Sequence, residues 1–193
     1  MTSPHRPQRW RKLDSRTVAH TRIFDVESVD FQHPDHAAPR DFFVINPPDW
    51  VNVVALTPQE ELVLVRQFRF GTNDLSLETP GGVVDAGEDP LVTGVRELRE
   101  ETGFVGTAAR VLAVVHPNPA IQSNRCHIVF VEGAVPSAAL AWDPNEEFEI
   151  LVVPVAEALA RAQRGEITHA LALNALFYFL PEWEKRCAAR GRA

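Results

Sequence analysis

Three glutamates, Glu97, Glu100 and Glu101, stand at i, i+3 and i+4. On a helix this spacing gathers them on one face about 6 Å long. Like charges held so close repel, by roughly a few tenths of a kcal/mol per pair on an isolated helix. They also fall near the C-terminal end of the helix that the surrounding residues predict, the wrong end for negative charge. A sequence that accepts both penalties points to a cation. Carboxylate oxygens select hard divalent ions, Mg²⁺ first, with Mn²⁺ possible. Arg96 lies beside the cluster, and Glu88 stands eight residues before it, so an Arg–Glu bridge can tie the preceding loop to the helix. Gly81, Gly82 and Gly87 let that loop turn tightly and bring backbone carbonyls towards a metal.

The elements that must position these groups are legible from pattern. Segments 22–31, 40–46, 50–57 and 61–69 read as strands rich in Val, Ile, Phe and Leu, punctuated by prolines. A shorter strand, Leu75 to Thr79, leads into Pro80, Gly81 and Gly82. The helix follows, with Asp89 as N-cap and Pro90 at its first position. Leu91, Val95 and Leu98 make an apolar stripe along it, and Gly103 stands where a left-handed cap belongs. Gly94 is a poor helix former, which points to close approach of a neighbouring backbone. Strands follow at 108–115, 125–132 and 148–154. Helices are expected at 155–164 and 168–180, with Pro181 interrupting. The order lacks regular βαβ alternation, so the fold class is α+β (mixed α/β), a layered domain with a mixed sheet and flanking helices.

The chain has 193 residues, enough for one domain with a sizeable core. We expect a leader or first-strand region over 1–20 and the main domain over 21–185. Hydrophobic residues are 45% and charged residues 23%, as in globular proteins. The net charge of −7 argues against a nucleic-acid partner, which needs a basic face. It also gives an anionic substrate no long-range attraction, so phosphates must be held locally. The two cysteines, Cys126 and Cys187, form no CxxC pair, which fits a reducing cytoplasm. Cys126 is expected to be buried packing. Met1 to Lys12 is polar and basic, unlike a secretory signal, and no apolar run approaches a membrane span.

Gly82, Glu88, Arg96, Glu97, Leu98, Glu100, Glu101, Gly103 and Phe104 together resemble the Nudix box at every defined position. The resemblance implies a loop–helix–loop metal site. In it the carboxylates matching Glu97 and Glu101 bind divalent metal, the one matching Glu100 shares the task, and the Gly81 carbonyl joins them. The Glu88–Arg96 pair is implied to be structural. Arg66-Gln67-Phe68-Arg69 and Leu77-Glu78-Thr79-Pro80-Gly81-Gly82 are similar to runs in the ADP-ribose and nucleotide-sugar pyrophosphatases of that family. So are Val115-His116-Pro117-Asn118-Pro119 and the acidic stretch Asn145-Glu146-Glu147-Phe148-Glu149.

That group implies attack by water on one phosphorus of a nucleoside diphosphate derivative, giving a nucleoside monophosphate and a sugar phosphate. The expected base is Glu146 or Glu147, in a mobile loop, with Glu100 as the alternative. Arg69 is expected to hold a phosphate or terminal sugar, and Trp50 or Phe43 to stack on the base. Glu78 and Pro119 complete the expected substrate contacts. A homodimer is implied, since many of the group use their first strands to build a partner's site. The alternatives are a nucleotide-sensing domain without turnover, or a hydrolase of nucleoside triphosphates or dinucleoside polyphosphates. No role is assigned to His116 or His127.

Overall fold

The run Trp50–Leu56 is apolar at nearly every position, the mark of a strand covered on both faces. The computed structural model, which describes residues 6–191, places it in the middle of a sheet. Two compact units form: Met1–Pro48 with Asn118–Asn124, and Asp49–Pro117 with Arg125–Ala193.

The first unit holds an antiparallel three-stranded sheet, β1 (Arg11–His20), β2 (Asp25–Gln32) and β3 (Arg40–Asn46), in that order. β1 falls within the region expected over 1–20 to be a leader or first strand, where pattern gave no strand bounds, and the strand expected over 22–31 is shifted to Asp25–Gln32. All ten β1 residues are exposed, so no buried alternation marks it; its ladder with β2 holds it instead. The Thr21 hydroxyl closes the hairpin by donating to the Phe24 carbonyl at 2.6 Å. Of the expected leader, residues 1–5 lie outside the described residues.

The second unit is built on a six-stranded mixed sheet. Its members are β4 (Trp50–Leu56), β5 (Glu61–Arg69), β6 (Asp74–Glu78), β8 (Ala108–Val115), β9 (Cys126–Glu132) and β11 (Glu149–Pro154), and its main path runs β11-β5-β4-β9-β8. β4 and β9 are parallel; the other pairs are antiparallel. The short strands β7 (Phe104–Val105) and β10 (Val135–Pro136) form a separate ribbon. β5 meets β4 only at Ala55–Val63 and Leu56–Leu62, then diverges and pairs with β6. The loop after β6 takes the vacated edge: the Val53 and Val51 amides donate to the carbonyls of Pro80 and Gly82.

Alternation along β4 sorts the core into two layers. Val53 and Ala55 join Val129, Val131 and Leu98 of α1 (Pro90–Thr102) on one face. Val54 and Leu56 join Ile128, Phe130 and the helices α2 (Val155–Gln163) and α3 (Ala170–Ala189) on the other. The Asp89 cap, Pro90 and the left-handed Gly103 are all in place. Val95 departs from the expected stripe: it is exposed, and the buried face of α1 is Thr93, Gly94, Leu98, Glu101 and Thr102. Gly94 is needed for close approach, but to a side chain rather than a backbone; an added Cβ would lie 2.9 Å from Val129 Cγ2. Pro181 does not end the last helix, which runs through it to Ala189. Phe179 and Trp183 stack on either side of it and hold both halves.

Candidate active site

The loop between β6 and α1 is held from beneath by a buried polar pair. Asn52, 1% exposed in an otherwise apolar strand, donates through Nδ2 to Thr79 Oγ1 at 2.8 Å. An extended segment sends alternate backbone groups to opposite edges. Pro80 and Gly82 face β4, so Gly81 faces the other way, and its amide meets Glu101 Oε2 at 3.0 Å. A Cβ on Gly81 would strike the Val51 carbonyl at 2.1 Å, and one on Gly82 would lie 2.4 Å from Glu97 Cδ. Only glycines let strand, loop and helix close on one another here.

Glu97, Glu100 and Glu101 come together as their spacing requires, and Arg96 threads between them. Its Nη1 donates to Glu97 Oε1 and Glu100 Oε2, both at 3.0 Å. Its Nε and Nη2 grip the two Glu88 oxygens at 3.2 and 3.0 Å. The bridge expected between Glu88 and Arg96 is thus the arm of a larger network. Hydrogen bonds from Arg96 and Thr93 hold the Glu88 carboxyl down to about 2. Those partners, Glu88 foremost, raise the Arg96 pKa further.

The other carboxyls move the opposite way. Burial lifts Glu101 well above the ordinary range, with further pressure from Glu97 and Glu146, and the Gly81 amide only partly offsets it. Burial likewise pushes Glu97 up to about 7 against the pull of Arg96. Two carboxyls held off ionisation in one cleft suit a hard cation, whose charge restores the anionic form. Among the described residues no three His, Cys, Asp or Glu side chains converge as a ready-made ligand set. Arg96 holds two of the candidates.

Across the cleft, Arg69 is clamped by Glu78. Nε meets Oε1 at 2.9 Å and Nη2 meets Oε2 at 2.6 Å, a two-pronged pair. Glu78 is fully buried, and its carboxyl, which burial alone would raise, is drawn below its usual range by Arg69 and nearby His169. The guanidinium lies 5.9 Å from the centre of the Trp50 ring. A cleft of about 310 Å³ is lined by Trp50, Arg69, Gly81, Glu97, Glu100, Glu101 and Glu146, among others. A second, about 640 Å³, shares Arg69 and Glu146 with it and adds Phe68, Phe70 and Glu147.

The acidic segment before β11 is bonded at both ends. The Ala141 amide donates to the Glu100 carbonyl at 3.0 Å, and Trp142 Nε1 donates to the Glu101 carbonyl at 2.8 Å. These bonds satisfy two of the carbonyls that the last turn of α1 leaves open. Phe148 is buried against Trp142. Arg66 then pairs with Glu149 at 2.6 Å. Between these points the Asp143 amide donates to Glu146 Oε2 at 3.0 Å.

Of the residues singled out from sequence, Trp50, Arg69, Gly81, Glu97, Glu100, Glu101 and Glu146 share one cleft. Glu147 lines the neighbouring one, and Glu78 lies behind Arg69, lining neither. Pro119 and Phe43 belong to the first unit, whereas every residue lining the two clefts belongs to the second. Sequence reasoning passed over Gln67, Asp85 and Asp143, which also line the site. Gln67 could have been found, because it shares strand parity with Arg69. It also passed over Trp142 and His169, whose loops carry no periodicity to locate them.

The family model for the NUDIX domain matches residues 47–173. The chain is 26% identical to an ADP-ribose pyrophosphatase of Bacillus subtilis (strain 168), over 87% of this chain and 94% of that protein. It is 29% identical to the ADP compounds hydrolase NudE of Escherichia coli (strain K12), over 90% of this chain and 92% of that protein. A crystal structure of an ADP compounds hydrolase superposes with a TM-score of 0.81 at 26% identity, covering 98% of this chain and all of that one. With Gly82 packed on Glu97, Gly81 bonded to Glu101 and the box running unbroken from Gly82 to Phe104, this chain belongs to the NUDIX domain family.

Proposed function

We propose that the chain is a divalent-metal-dependent hydrolase that cleaves the diphosphate of ADP-ribose or a related nucleoside diphosphate sugar, releasing a nucleoside monophosphate and a sugar phosphate. One observation carries this reading: four carboxylates, Glu97, Glu100, Glu101 and Glu146, line one small cleft opposite the clamped guanidinium of Arg69. The pyrophosphatase and ADP compounds hydrolase activities named for the relatives support the same substrate class.

Glu97, Glu101, Glu100 and the Gly81 carbonyl would hold the cation, with Mg²⁺ the expected ion and Mn²⁺ an alternative. Bound there, such an ion offsets charge on the diphosphate oxygens and makes a nearby water more acidic. Arg69 keeps N–H donors free of Glu78 to bind a phosphate or a sugar hydroxyl. Trp50, beside that guanidinium, offers an apolar ring to the ligand. Glu146 takes the proton from the attacking water, since it lines this cleft and its charge is felt at Glu97, Glu101 and Arg69.

The test is hydrolysis by purified protein with Mg²⁺ or Mn²⁺ of ADP-ribose, nucleotide sugars, dinucleoside polyphosphates and nucleoside triphosphates, with products identified. Mono- and sugar phosphates from the first two groups are expected. An intact panel, or turnover of triphosphates alone, overturns the reading. We further propose a homodimer. Leu13, Val18, Phe42 and Phe43, exposed on the three-stranded sheet, offer apolar surface for a second copy, and sedimentation tests it. Two cysteines without a disulfide support a reducing, cytoplasmic setting. Among the described residues no helix is long and apolar enough to cross a membrane.

A further inference from the structure

Arg69 binds ligand well only if its guanidinium plane is fixed. Glu78 fixes it from behind, and this carboxylate, 0% exposed, is itself held by Arg69 and by a hydrogen bond from the Ser76 side chain. His169 stands on another side. It is the residue at which α3 begins, in the link from α2. Its Nδ1 is 3.2 Å from Glu78 Oε2, the same oxygen that Arg69 Nη2 reaches. The distance is within reach, yet the ring is tilted away from good hydrogen-bond alignment, and this Nδ1 is buried without another partner. A slight turn of the imidazole completes the bond. A polar atom buried beside a buried anion is costly unless the two are joined.

We propose that His169 is a positioning residue for the hydrolysis: its Nδ1–H holds the Glu78 carboxylate, which in turn sets the Arg69 guanidinium towards the diphosphate. The inference rests on the function proposed above for its ligand, but the geometry of the chain His169–Glu78–Arg69 stands without it. It places a control point of the cleft on the C-terminal helices, outside the box. Burial keeps the imidazole below its usual pKa despite Glu78, so the neutral ring is the working form and one proton on Nδ1 suffices. His169 touches neither the reacting phosphorus nor the carboxylates of the cation site in this arrangement. Its loss should therefore weaken binding and leave the chemical step intact.

The experiment compares His169→Asn with His169→Gln. The asparagine amide nitrogen stands close to where Nδ1 stands, whereas the glutamine amide is displaced by a methylene towards the Nε2 position. With ADP-ribose and Mg²⁺, His169→Asn should keep KM within about twofold. His169→Gln should raise KM roughly tenfold with kcat little changed, the loss expected for one hydrogen bond to a charged group. A second reading needs no substrate. In ¹⁵N spectra, the Arg69 Nε–H signal, assigned by its loss in Arg69→Lys, should stay protected from exchange in wild type and His169→Asn and lose protection in His169→Gln. Equal KM and equal protection in all three proteins overturns the proposal. So does a fall in kcat at constant KM, or a lowered Tm as the only change. If wild type hydrolyses none of the panel but the protection pattern appears, the substrate assignment fails and the positioning chain stands.

Discussion

The Gly81 amide donates to Glu101 Oε2 over 3.0 Å, and that bond sets the register between the loop after β6 and the last turns of α1. Glu101 is 3% exposed, so its second oxygen has few partners to choose from. A glutamine there can still accept from Gly81 but cannot supply a full negative charge to a cation. Glu101→Gln should therefore lower kcat by about 100-fold or more while Tm at pH 8 holds or rises. Near-normal turnover in the variant removes Glu101 from the cation site.

The raised carboxyls give a pH signature. A carboxyl whose folded pKa exceeds its unfolded value favours the folded state while protonated. Its contribution is complete below the ordinary value of 4.5 and is lost as pH rises through the folded value, about 7 for Glu97. Cation-free protein should thus lose Tm between pH 5 and 7.5, and Glu97→Gln should lose less over the same window. Added Mg²⁺ should raise wild-type Tm more at pH 8 than at pH 5.5. Parallel Tm curves for the two proteins contradict this account of Glu97.

Glu146 and Glu147 are adjacent in sequence and both line the larger cleft, but they do not share the smaller one. Only Glu146 lines the cleft that holds Glu97 and Glu101. Single-turnover rates should fall by about 10²–10⁴-fold in Glu146→Gln, the range for a lost general base, and by less than about threefold in Glu147→Gln. The reverse pattern assigns the base to Glu147; no effect in either returns it to Glu100.

Gly94 of α1 packs against Val129 of β9. Gly94→Ala gains helix propensity, worth about 1 kcal/mol, but drives a methyl into Val129, and overpacking costs about 1–3 kcal/mol. The wedge should win, lowering Tm by a few degrees. Adding Val129→Ala should make the Gly94→Ala change neutral or favourable. Additive losses in the double variant show that the contact is not the cause.

Much of this was legible in the sequence because it is local. The helix, both of its caps and the carboxylate face follow from residues within one stretch, 82–104, where spacing is geometry. The strands β4, β5 and β9 show as apolar runs because they are buried, while β3, β8 and β11 are legible from their Val, Ile, Leu and Phe content although they are less covered. The bounds of β1 within the region 1–20 were hidden because hydrogen bonds rather than burial hold it. Arg96 was read as a partner of Glu88 alone. That it also reaches Glu97 and Glu100 depends on rotamers that spacing does not specify. Val95 misled because its spacing from Leu91 and Leu98 fits an apolar stripe, while the buried face of α1 turns towards Gly94 and Glu101. His169 and Trp142 owe their places to chain segments far away in sequence, and such pairings leave no periodic trace. Pro181 reads as a stop because it lacks an N–H, yet packing of Phe179 and Trp183 carries the helix across it.

Ala141 and Trp142 do more than anchor a loop. They bond the carboxyl end of α1, at the backbone of two of the glutamates that line the cleft, Glu100 and Glu101. The segment that carries Glu146 into the cleft is thereby tied to the backbone of Glu100 and Glu101, so the loop and the helix that line the cleft share one anchorage.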